Sequence, residues 1–437
     1  MSRFRTGRLG RLASLGGLAT RLAGGAISSA GKRITAGRDA AAEALHRKTA
    51  QQLLSTMGRM KGLPMKVGQL LSFMDGVVPG EYQPIYGELL AKLQVRVEPM
   101  PWEDVRPILE RELGAPCERL FRAIDPEPLA AASIGQVHRG ELPDGQAVAI
   151  KIQYPGIDAA VQSDLKNANA LVSTMSAIMP IDNRTMVRDF LGRIGEELDY
   201  RNEARNQRDF GERWRDEPRV VIPEVVAPLS SQRVLVSHLM RGETFAELCD
   251  SEDAARKSAV GEVLFTFVFR SLLTHGIFNA DPHPGNYLFG PGDRVIFLDF
   301  GCVQRYDEAS RAAFRRLIEA ILEGRRGEAL WRVIAETLEF PDSVSLPLRE
   351  IIEDYLLYCF KPALDPQPFR YTRAYTSQLS ELTMQMKLKI FKNLFRIGWK
   401  EPKRAGLVML SRILFGMNSL LAALEAEGDW RARLLAA

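Results

Sequence analysis

The sequence predicts an α+β fold of two lobes, in which a small strand-rich lobe precedes a larger helical one. Alternating apolar residues on both sides of a Leu-Pro-Asp-Gly turn indicate a pair of strands between residues 133 and 153. After Gly242 the apolar residues recur mostly at helical spacing, interrupted by two short strand-like segments. The composition agrees with this prediction, since 46% hydrophobic and 26% charged residues are typical of a globular protein.

The 437 residues divide into four predicted segments. Residues 1–38 form a basic flexible arm, 39–127 a helical extension, 128–241 the small lobe with a helical insert, and 242–437 the large lobe. The arm contains eight Lys or Arg residues and no acidic residue. This composition leaves three interpretations open: a disordered tail, a segment attracted to anionic lipid, and a targeting peptide.

Secondary structure within these segments is predicted from apolar period and turn residues. The predicted elements are a helix over 102–122 broken at Gly-Ala-Pro, strands at 133–139 and 148–153, a helical stretch over 157–212, strands at 219–226 and 233–239, and strands at 287–289 and 295–298. The apolar run 413–424 has 12 residues. A membrane-spanning helix needs about 20 residues, so we expect this run to be a buried helix.

An apolar strand that ends in Lys151 is the first motif with chemical meaning. A lysine placed there can reach the α- and β-phosphates of a nucleotide and neutralise their charge. The glycine-rich turn that usually precedes such a strand is replaced by Ala130, Ala131, Ala132 and Ser133. On its own the lysine is a weak sign, because many buried strands end in a lysine that reaches to water.

An acidic helical segment follows, with Glu197, Asp199 and Glu203 in its sequence. Asp199 and Glu203 are four positions apart and share one helix face. A kinase needs a helical glutamate that pairs with the strand lysine and holds it towards the phosphates, and Glu203 is the candidate. Without the other motifs, a solvated acidic face would be the better interpretation.

Asp281 and Asn286 have the Asp-x4-Asn spacing of a kinase catalytic loop. Asp281 would orient the attacking oxygen or accept its proton, and Asn286 would bind Mg²⁺ through its side-chain oxygen. Pro282 and Pro284 exclude a helix and predict an irregular loop. His283, a lone histidine between these prolines, is interpreted as structural.

Asp299 stands at the end of an apolar strand and is followed by Phe300 and Gly301. Asp281 and Asp299 are 18 positions apart, which is enough for a two-stranded hairpin that returns the second aspartate to the first. Asp299 would ligate the Mg²⁺ that bridges the phosphates. With Lys151 upstream, these motifs predict a protein kinase-like fold that binds ATP or ADP with Mg²⁺.

Several longer motifs then resemble one family, the UbiB-type (AarF-like) atypical kinases. The motifs are Ala-Ala-Ala-Ser-Ile-Gly-Gln-Val-His from Ala130, Lys-Ile-Gln-Tyr-Pro-Gly from Lys151, Glu-x-Asp-Tyr from Glu197, Asp-Pro-His-Pro-Gly-Asn from Asp281 and Leu-Asp-Phe-Gly around Asp299. Lys66 and Gln69 match the Lys-x-Gly-Gln signature of that family. The resemblance runs from about residue 40 to the end of the chain.

The resemblance implies a bilobal protein kinase-like fold whose N-terminal helical extension packs over the cleft. Lys66 and Gln69 would then lie near Glu197 and Asp199, where an ordinary kinase admits a protein substrate. The family is linked to ubiquinone biosynthesis and to ATPase activity. We therefore expect an isoprenoid lipid or quinone-precursor client, partners among quinone-biosynthesis proteins, and no nucleic-acid partner.

The implied location is the cytoplasm with peripheral membrane contact, or the mitochondrial matrix in a eukaryote. Two departures from expectation stand out. The sequence predicts none of the C-terminal transmembrane helices that some family members carry. Asn279, two residues before Asp281, stands where ordinary kinases usually have histidine.

Two further functions stay open beside an atypical kinase or ATPase. They are a non-catalytic, nucleotide-gated lipid-binding scaffold and a small-molecule phosphotransferase.

Overall fold

The computed structural model describes residues 99–131, 134–159, 198–397 and 407–437. The predicted arm 1–38 and residues 39–98 of the predicted extension lie outside the described residues. The described chain forms two compact units. The first contains the described residues up to Asn202 together with Val226–Leu239, and the second contains Glu203–Val225 and Met240–Ala437.

The first unit contains a four-stranded antiparallel sheet in the order β1-β2-β3-β5. Its strands are β1 (Ala123–Ala131), β2 (Gly135–Glu141), β3 (Ala147–Gln153) and β5 (Val234–His238). The predicted hairpin between β2 and β3 is confirmed, with Gly145 in the left-handed region at φ 89° and its N–H donating to Leu142 O at 2.9 Å. Val148, Ile150 and Ile152 alternate along β3 and are fully buried on one face.

Strand β1 was not predicted from the sequence, and it begins five residues before the predicted small lobe. Its register against β2 shifts twice, on either side of Pro128. A proline lacks the N–H that a central strand donates, so Pro126 and Pro128 argued against a strand here. The structure resolves this conflict because β1 is an edge strand, where irregular pairing and proline are tolerated.

The predicted broken helix before the sheet is confirmed as α1 (Trp102–Leu113) and α2 (Cys117–Leu120). The helix α1 ends at Gly114, whose φ of 73° is readily adopted by glycine and whose N–H donates to Glu110 O. Val105 and Leu109 are fully buried, and α1 packs against β3. The helix α3 (Tyr200–Arg213) is the described part of the predicted stretch 157–212, apart from residues 157–159.

The second unit is mainly helical. Its other helices are α4 (Phe245–Asp250), α5 (Ala254–Arg270), α6 (Glu308–Leu322), α7 (Glu328–Leu338), α8 (Leu346–Cys359), α9 (Lys361–Leu364), α10 (Arg373–Ile397), α11 (Leu407–Ala423) and α12 (Trp430–Leu435). The helix α11 contains the predicted buried run up to Ala423, and Leu414, Met417 and Leu421 are at most 3% exposed. Among the described residues, no helix has both the length and the apolar character that crossing a bilayer requires.

Short strands in this unit carry the residues of chemical interest. They are β4 (Val220–Val221), β6 (Ile277–Asn279), β7 (Tyr287–Gly290), β8 (Arg294–Phe297), β9 (Val303–Arg305), β10 (Phe369–Arg370) and β11 (Glu427–Gly428). The predicted hairpin of β7 and β8 is confirmed, and β4 pairs with β8 in parallel. The prediction of a strand over 219–226 was too long, because Pro223 cannot continue the pairing.

Candidate functional site

Asp281 and Asp299 are delivered to neighbouring positions by two pairs of short strands. Strand β6 pairs with β9, and Ala280 N–H donates to Cys302 O at 2.8 Å just before Asp281. The hairpin of β7 and β8 ends two residues before Asp299. Asp281 thus follows β6 and Asp299 follows β8, and the hairpin predicted between the two aspartates is formed by β7 and β8.

The side-chain amide of Asn286 is oriented by Asp281. Its Nδ2 donates to Asp281 Oδ2 at 3.0 Å and to Asp281 O at 3.3 Å. A carbonyl oxygen accepts only, so Nδ2 is the atom turned to Asp281 and Oδ1 is turned away from it. The Asn286 carbonyl accepts from Leu298 N–H at 2.9 Å, which places Asn286 beside the residue before Asp299.

The loop around these residues is more ordered than the sequence predicts. Pro284–Asn286 form one turn of 3-10 helix, and His283 Nδ1 accepts from Gly285 N–H at 3.0 Å. The prediction of an irregular loop was wrong at this turn, because a proline at the first position of a turn has no N–H to satisfy. The interpretation of His283 as a structural residue agrees with its bond to its own loop.

Gly301 lies where two carboxylates converge. A Cβ atom at this position would lie 3.2 Å from Asp299 Oδ1 and 3.8 Å from Glu203 Oε2. Asp299 Oδ1 accepts from Gly301 N–H at 2.8 Å, a close approach that the missing side chain permits. Glu203 is only 5% exposed, and Asn206, one turn later on α3, donates to Phe300 O at 3.0 Å. The helix α3 therefore holds the Asp299–Gly301 segment.

The pKa of Tyr287 reflects the negative charge of this region. Burial raises the pKa of the Tyr287 phenol, and the negative charges of Asp281 and Asp299 raise this pKa further. The phenol thus stays neutral at all physiological pH values. Two carboxylates acting on one buried phenol indicate a region of negative potential, which a bound cation would neutralise.

The side-chain oxygen atoms of Asn286 and Asp299 are suitable ligands for Mg²⁺ bound to phosphates. Magnesium prefers oxygen ligands and is usually held by one or two carboxylates plus water and substrate phosphates, rather than by an all-protein cage. Asn286 Oδ1 and the Asp299 carboxylate supply oxygen donors of this kind. In the described ranges no group of three or more His, Cys, Asp or Glu residues could hold a metal ion.

In the first unit, Lys151 lies in the middle of the sheet. It pairs with Val137 on β2 and Leu235 on β5, and the buried Val148, Ile150 and Ile152 point to the opposite face. Its Nζ lies 5.1 Å from the centroid of the Tyr200 ring, within the range of a cation–π interaction. The structure thus gives Lys151 an aromatic support that the sequence did not predict.

The alanine segment lies partly in a strand. Ala130 and Ala131 belong to the end of β1, pair with Val137 and Gln136, and are exposed. At Ala130 and Ala131 the end of the edge strand therefore stands in place of the turn that ordinary kinases have before the lysine strand. Ala132 and Ser133 lie outside the described residues, in the connection from β1 to β2.

Asp199 forms a side-on ion pair with Arg201, with Oδ1–Nε at 2.9 Å and Oδ2–Nη2 at 2.8 Å. The arginine is half exposed, so this pair contributes little to stability. Lys66, Gln69 and Glu197 lie outside the described residues, and their predicted positions near Asp199 remain predictions. The functional roles predicted for all the site residues also stay predictions.

Sequence reasoning missed the contribution of Asn279. Its side chain contacts backbone atoms of both Asp281 and Asp299. The signal was its position two residues before Asp281, where it appeared only as a departure from ordinary kinases.

The fold and this constellation define a class: an α+β protein of the protein kinase-like fold, as predicted. The chain matches the family model described as the ABC1 atypical kinase-like domain over residues 92–330, and it belongs to that family. This confirms the resemblance to UbiB-type atypical kinases.

Three similar proteins carry names that refer to mitochondria or chloroplasts. The chain is 30% identical to "Atypical kinase COQ8B, mitochondrial" of Danio rerio, over 74% of this chain and 52% of that protein. It is 30% identical to "Atypical kinase COQ8, mitochondrial" of Saccharomyces cerevisiae, over 74% of this chain and 64% of that protein. It is 34% identical to "Protein ACTIVITY OF BC1 COMPLEX KINASE 3, chloroplastic" of Arabidopsis thaliana, over 61% of this chain and 38% of that protein. The matches thus span less than two thirds of each of these relatives.

A solved structure is also similar. The Rv3197–erythromycin complex from Mycobacterium tuberculosis aligns with a TM-score of 0.62 and 30% sequence identity, covering 91% of this chain and 97% of that chain. This similarity supports the fold assignment.

Proposed function

We propose that this chain is an atypical kinase or ATPase that binds ATP or ADP with Mg²⁺ and supports isoprenoid quinone biosynthesis at a membrane surface. The observation that carries the proposal is the placement of Asp281, Asn286 and Asp299 side by side: Asn286 Nδ2 donates to Asp281 Oδ2, and Leu298 N–H, next to Asp299, donates to Asn286 O. Membership of an atypical kinase family supports it.

In the proposed reaction each residue has a defined task. Asp281 orients the oxygen that attacks the γ-phosphate and accepts its proton. Asn286 Oδ1 and Asp299 would hold Mg²⁺, which would neutralise charge at the phosphates when bound. Lys151, held against the Tyr200 ring, contributes a second positive charge at the phosphates.

The quinone-pathway client rests on the family resemblance and on the COQ8 names of the relatives. The peripheral membrane contact rests on the basic residues of 1–38, which would be attracted to anionic lipid. An isoprenoid lipid or quinone precursor is the proposed client at that surface, and quinone-biosynthesis proteins are the proposed partners.

The test is ATP turnover by the full chain with Mg²⁺, measured with anionic vesicles, with zwitterionic vesicles and without lipid. We expect Mg²⁺-dependent hydrolysis that rises with anionic vesicles or with a phenol that resembles a quinone precursor. Nucleotide binding without turnover would instead favour the nucleotide-gated scaffold. Lipid-independent phosphorylation of an amino sugar or of choline would favour the small-molecule phosphotransferase.

The role of the arm has its own control. A full-length variant with all eight Lys and Arg residues of 1–38 replaced by Gln keeps the length of the arm and removes its charge. We expect this variant to retain basal turnover and to lose the stimulation by anionic vesicles. Equal stimulation of both proteins would exclude the arm from the membrane contact.

A further inference from the structure

The side chain of Asn279 joins the two backbone segments that carry the aspartates. Its Nδ2 donates to Asp299 O at 2.6 Å, and its Oδ1 accepts from Asp281 N–H at 3.2 Å. A single planar amide therefore spans both segments. Because one neighbour is a carbonyl and the other an N–H group, the orientation of the amide is fixed by its partners.

The surroundings of Asn279 make this connection rigid. Its backbone belongs to β6 and pairs with Val303 of β9, and the next residue, Ala280, donates to Cys302 O at 2.8 Å. The side chain thus has little freedom to release one partner while keeping the other. Both of its bonds go to main-chain atoms, so they set the positions of the aspartate Cα atoms rather than the charge of the carboxylates.

We propose that Asn279 is a positioning residue that fixes the distance between Asp281 and Asp299. This inference rests on the proposed function, in which one aspartate faces the attacking oxygen and the other faces the metal-bound phosphates. A displacement of about 1 Å between reacting groups can cost about 100-fold in rate. A residue that sets this distance therefore affects turnover without touching nucleotide or metal.

The position requires a side chain that donates and accepts at once. Asparagine does both, whereas an aspartate at this position accepts only until it is protonated. An aspartate would also place a third negative charge near two others, which repel it. The histidine of ordinary kinases keeps a ring N–H donor, so it can replace one of the two bonds.

The first test compares turnover by Asn279→Ala, Asn279→Asp and Asn279→His with the wild type. We expect kcat of Asn279→Ala to fall by up to about 100-fold, with KM for ATP changed about twofold or less. Asn279→Asp should be as poor as Asn279→Ala, because an ionised carboxylate cannot donate to Asp299 O. Asn279→His should lie between Asn279→Ala and the wild type.

The second test needs no activity. Hydrogen exchange of the full-length protein, followed by mass spectrometry, reports the backbone groups that Asn279 contacts. We expect Asn279→Ala to speed exchange in peptides that cover 280–287 and 298–303. The matched control is Thr337→Val, which removes another buried side-chain bond to backbone, from Thr337 Oγ1 to Ala313 O at 3.2 Å. It should lower Tm without changing exchange in these two peptides.

The outcomes separate this inference from the proposed function. A wild-type protein without ATP turnover contradicts the proposed function, and the exchange data then decide the inference alone. Wild-type turnover with unchanged kcat in Asn279→Ala, or unchanged exchange in both peptides, overturns the positioning role. A wild-type kcat in Asn279→Asp, whose ionised side chain cannot donate to Asp299 O, also overturns it. If Asn279→Ala does not fold, kcat and hydrogen exchange of Asn279→Asp and Asn279→His decide the question.

Discussion

The loop of the second unit that carries Asp281 and the alanine segment of the first unit are held in different ways. Side chains of Asn279, Asn286 and Asn206 bind backbone carbonyls in or beside the aspartate segments. Ala130 and Ala131 have no polar side chains and rely on strand pairing with β2 alone. The difference suggests that the charged groups are fixed by polar side chains, whereas the alanine segment acts through its backbone conformation.

The largest effect on turnover is expected when the loop that carries Asp281 loses its proton acceptor. Asp281→Asn keeps the size of the side chain but removes the carboxylate that would accept the proton, and general-base catalysis is typically worth about 10²- to 10⁴-fold. We expect kcat for ATP turnover to fall within this range. Asp144→Asn, an exposed aspartate in the turn between β2 and β3, is the control and should retain full activity.

An intermediate effect is expected from a substitution behind this loop. Gly416 of α11 lies against Pro282, and a Cβ atom on Gly416 would overlap the proline ring. Because that ring is part of the loop, Gly416→Ala should displace Asp281 and lower kcat by about tenfold. This is less than the loss of about 100-fold that a displacement of about 1 Å can cause. The substitution should change Tm little, because alanine stabilises a helix by about 1 kcal/mol relative to glycine and this gain offsets part of the cost of the overlap.

Gly211→Ala is the matched control for that substitution. Gly211 also lies in a helix, α3, but the nearest side-chain atom would be 3.9 Å from the new Cβ. This variant should be as stable as the wild type or more stable, with unchanged turnover. Equal kcat values for the two glycine variants would show that α11 does not position the loop.

These contrasts also show what could be predicted from the sequence. The hairpins at Gly145 and between β7 and β8 were predicted because local alternation and turn residues specify them. The proximity of Asp281 and Asp299 followed from the hairpin length. The strand β1 was missed because Pro126 and Pro128 oppose a strand locally.

The contributions of Asn279 and Gly416 could not be predicted for a different reason. Each depends on a contact with a residue that is near in space and whose identity local patterns do not reveal. Strands β6 and β9 have three residues each, too few for a periodic signal. The contact between the Asn279 side chain and Asp299 therefore becomes visible only in the structure, where the pairing of these strands places Asp299 beside Asn279.

A smaller effect is expected at the aromatic support of Lys151. The ring of Tyr200 lies 5.1 Å from Lys151 Nζ, and a cation–π interaction contributes about 0.5–2 kcal/mol depending on solvent exposure. Tyr200→Leu should therefore weaken ATP binding by about 2- to 30-fold in calorimetry. Tyr200→Phe keeps the ring and should bind ATP within about twofold of the wild type, so equal weakening by both variants would argue against the ring as the support.

The smallest effect is expected in the alanine segment. Ala131→Gly removes one exposed methyl group and loosens the end of β1, at a cost of about 0.5–1 kcal/mol in a strand. We expect a change of a few-fold in ATP affinity or in self-phosphorylation, with little change in Tm. If neither property differs from that of the wild type, the alanines serve packing alone.

The most direct test of the account is metal binding at Asp299. Mn²⁺ can replace Mg²⁺ and be followed by electron paramagnetic resonance in the presence of ADP, with the wild type, Asp299→Asn and Asp144→Asn compared. We expect ADP-dependent Mn²⁺ binding by the wild type and by Asp144→Asn, and a loss of about tenfold or more in Asp299→Asn, equivalent to about 1.4 kcal/mol. Mn²⁺ binding by Asp299→Asn that equals that of the wild type would contradict the assignment of this site.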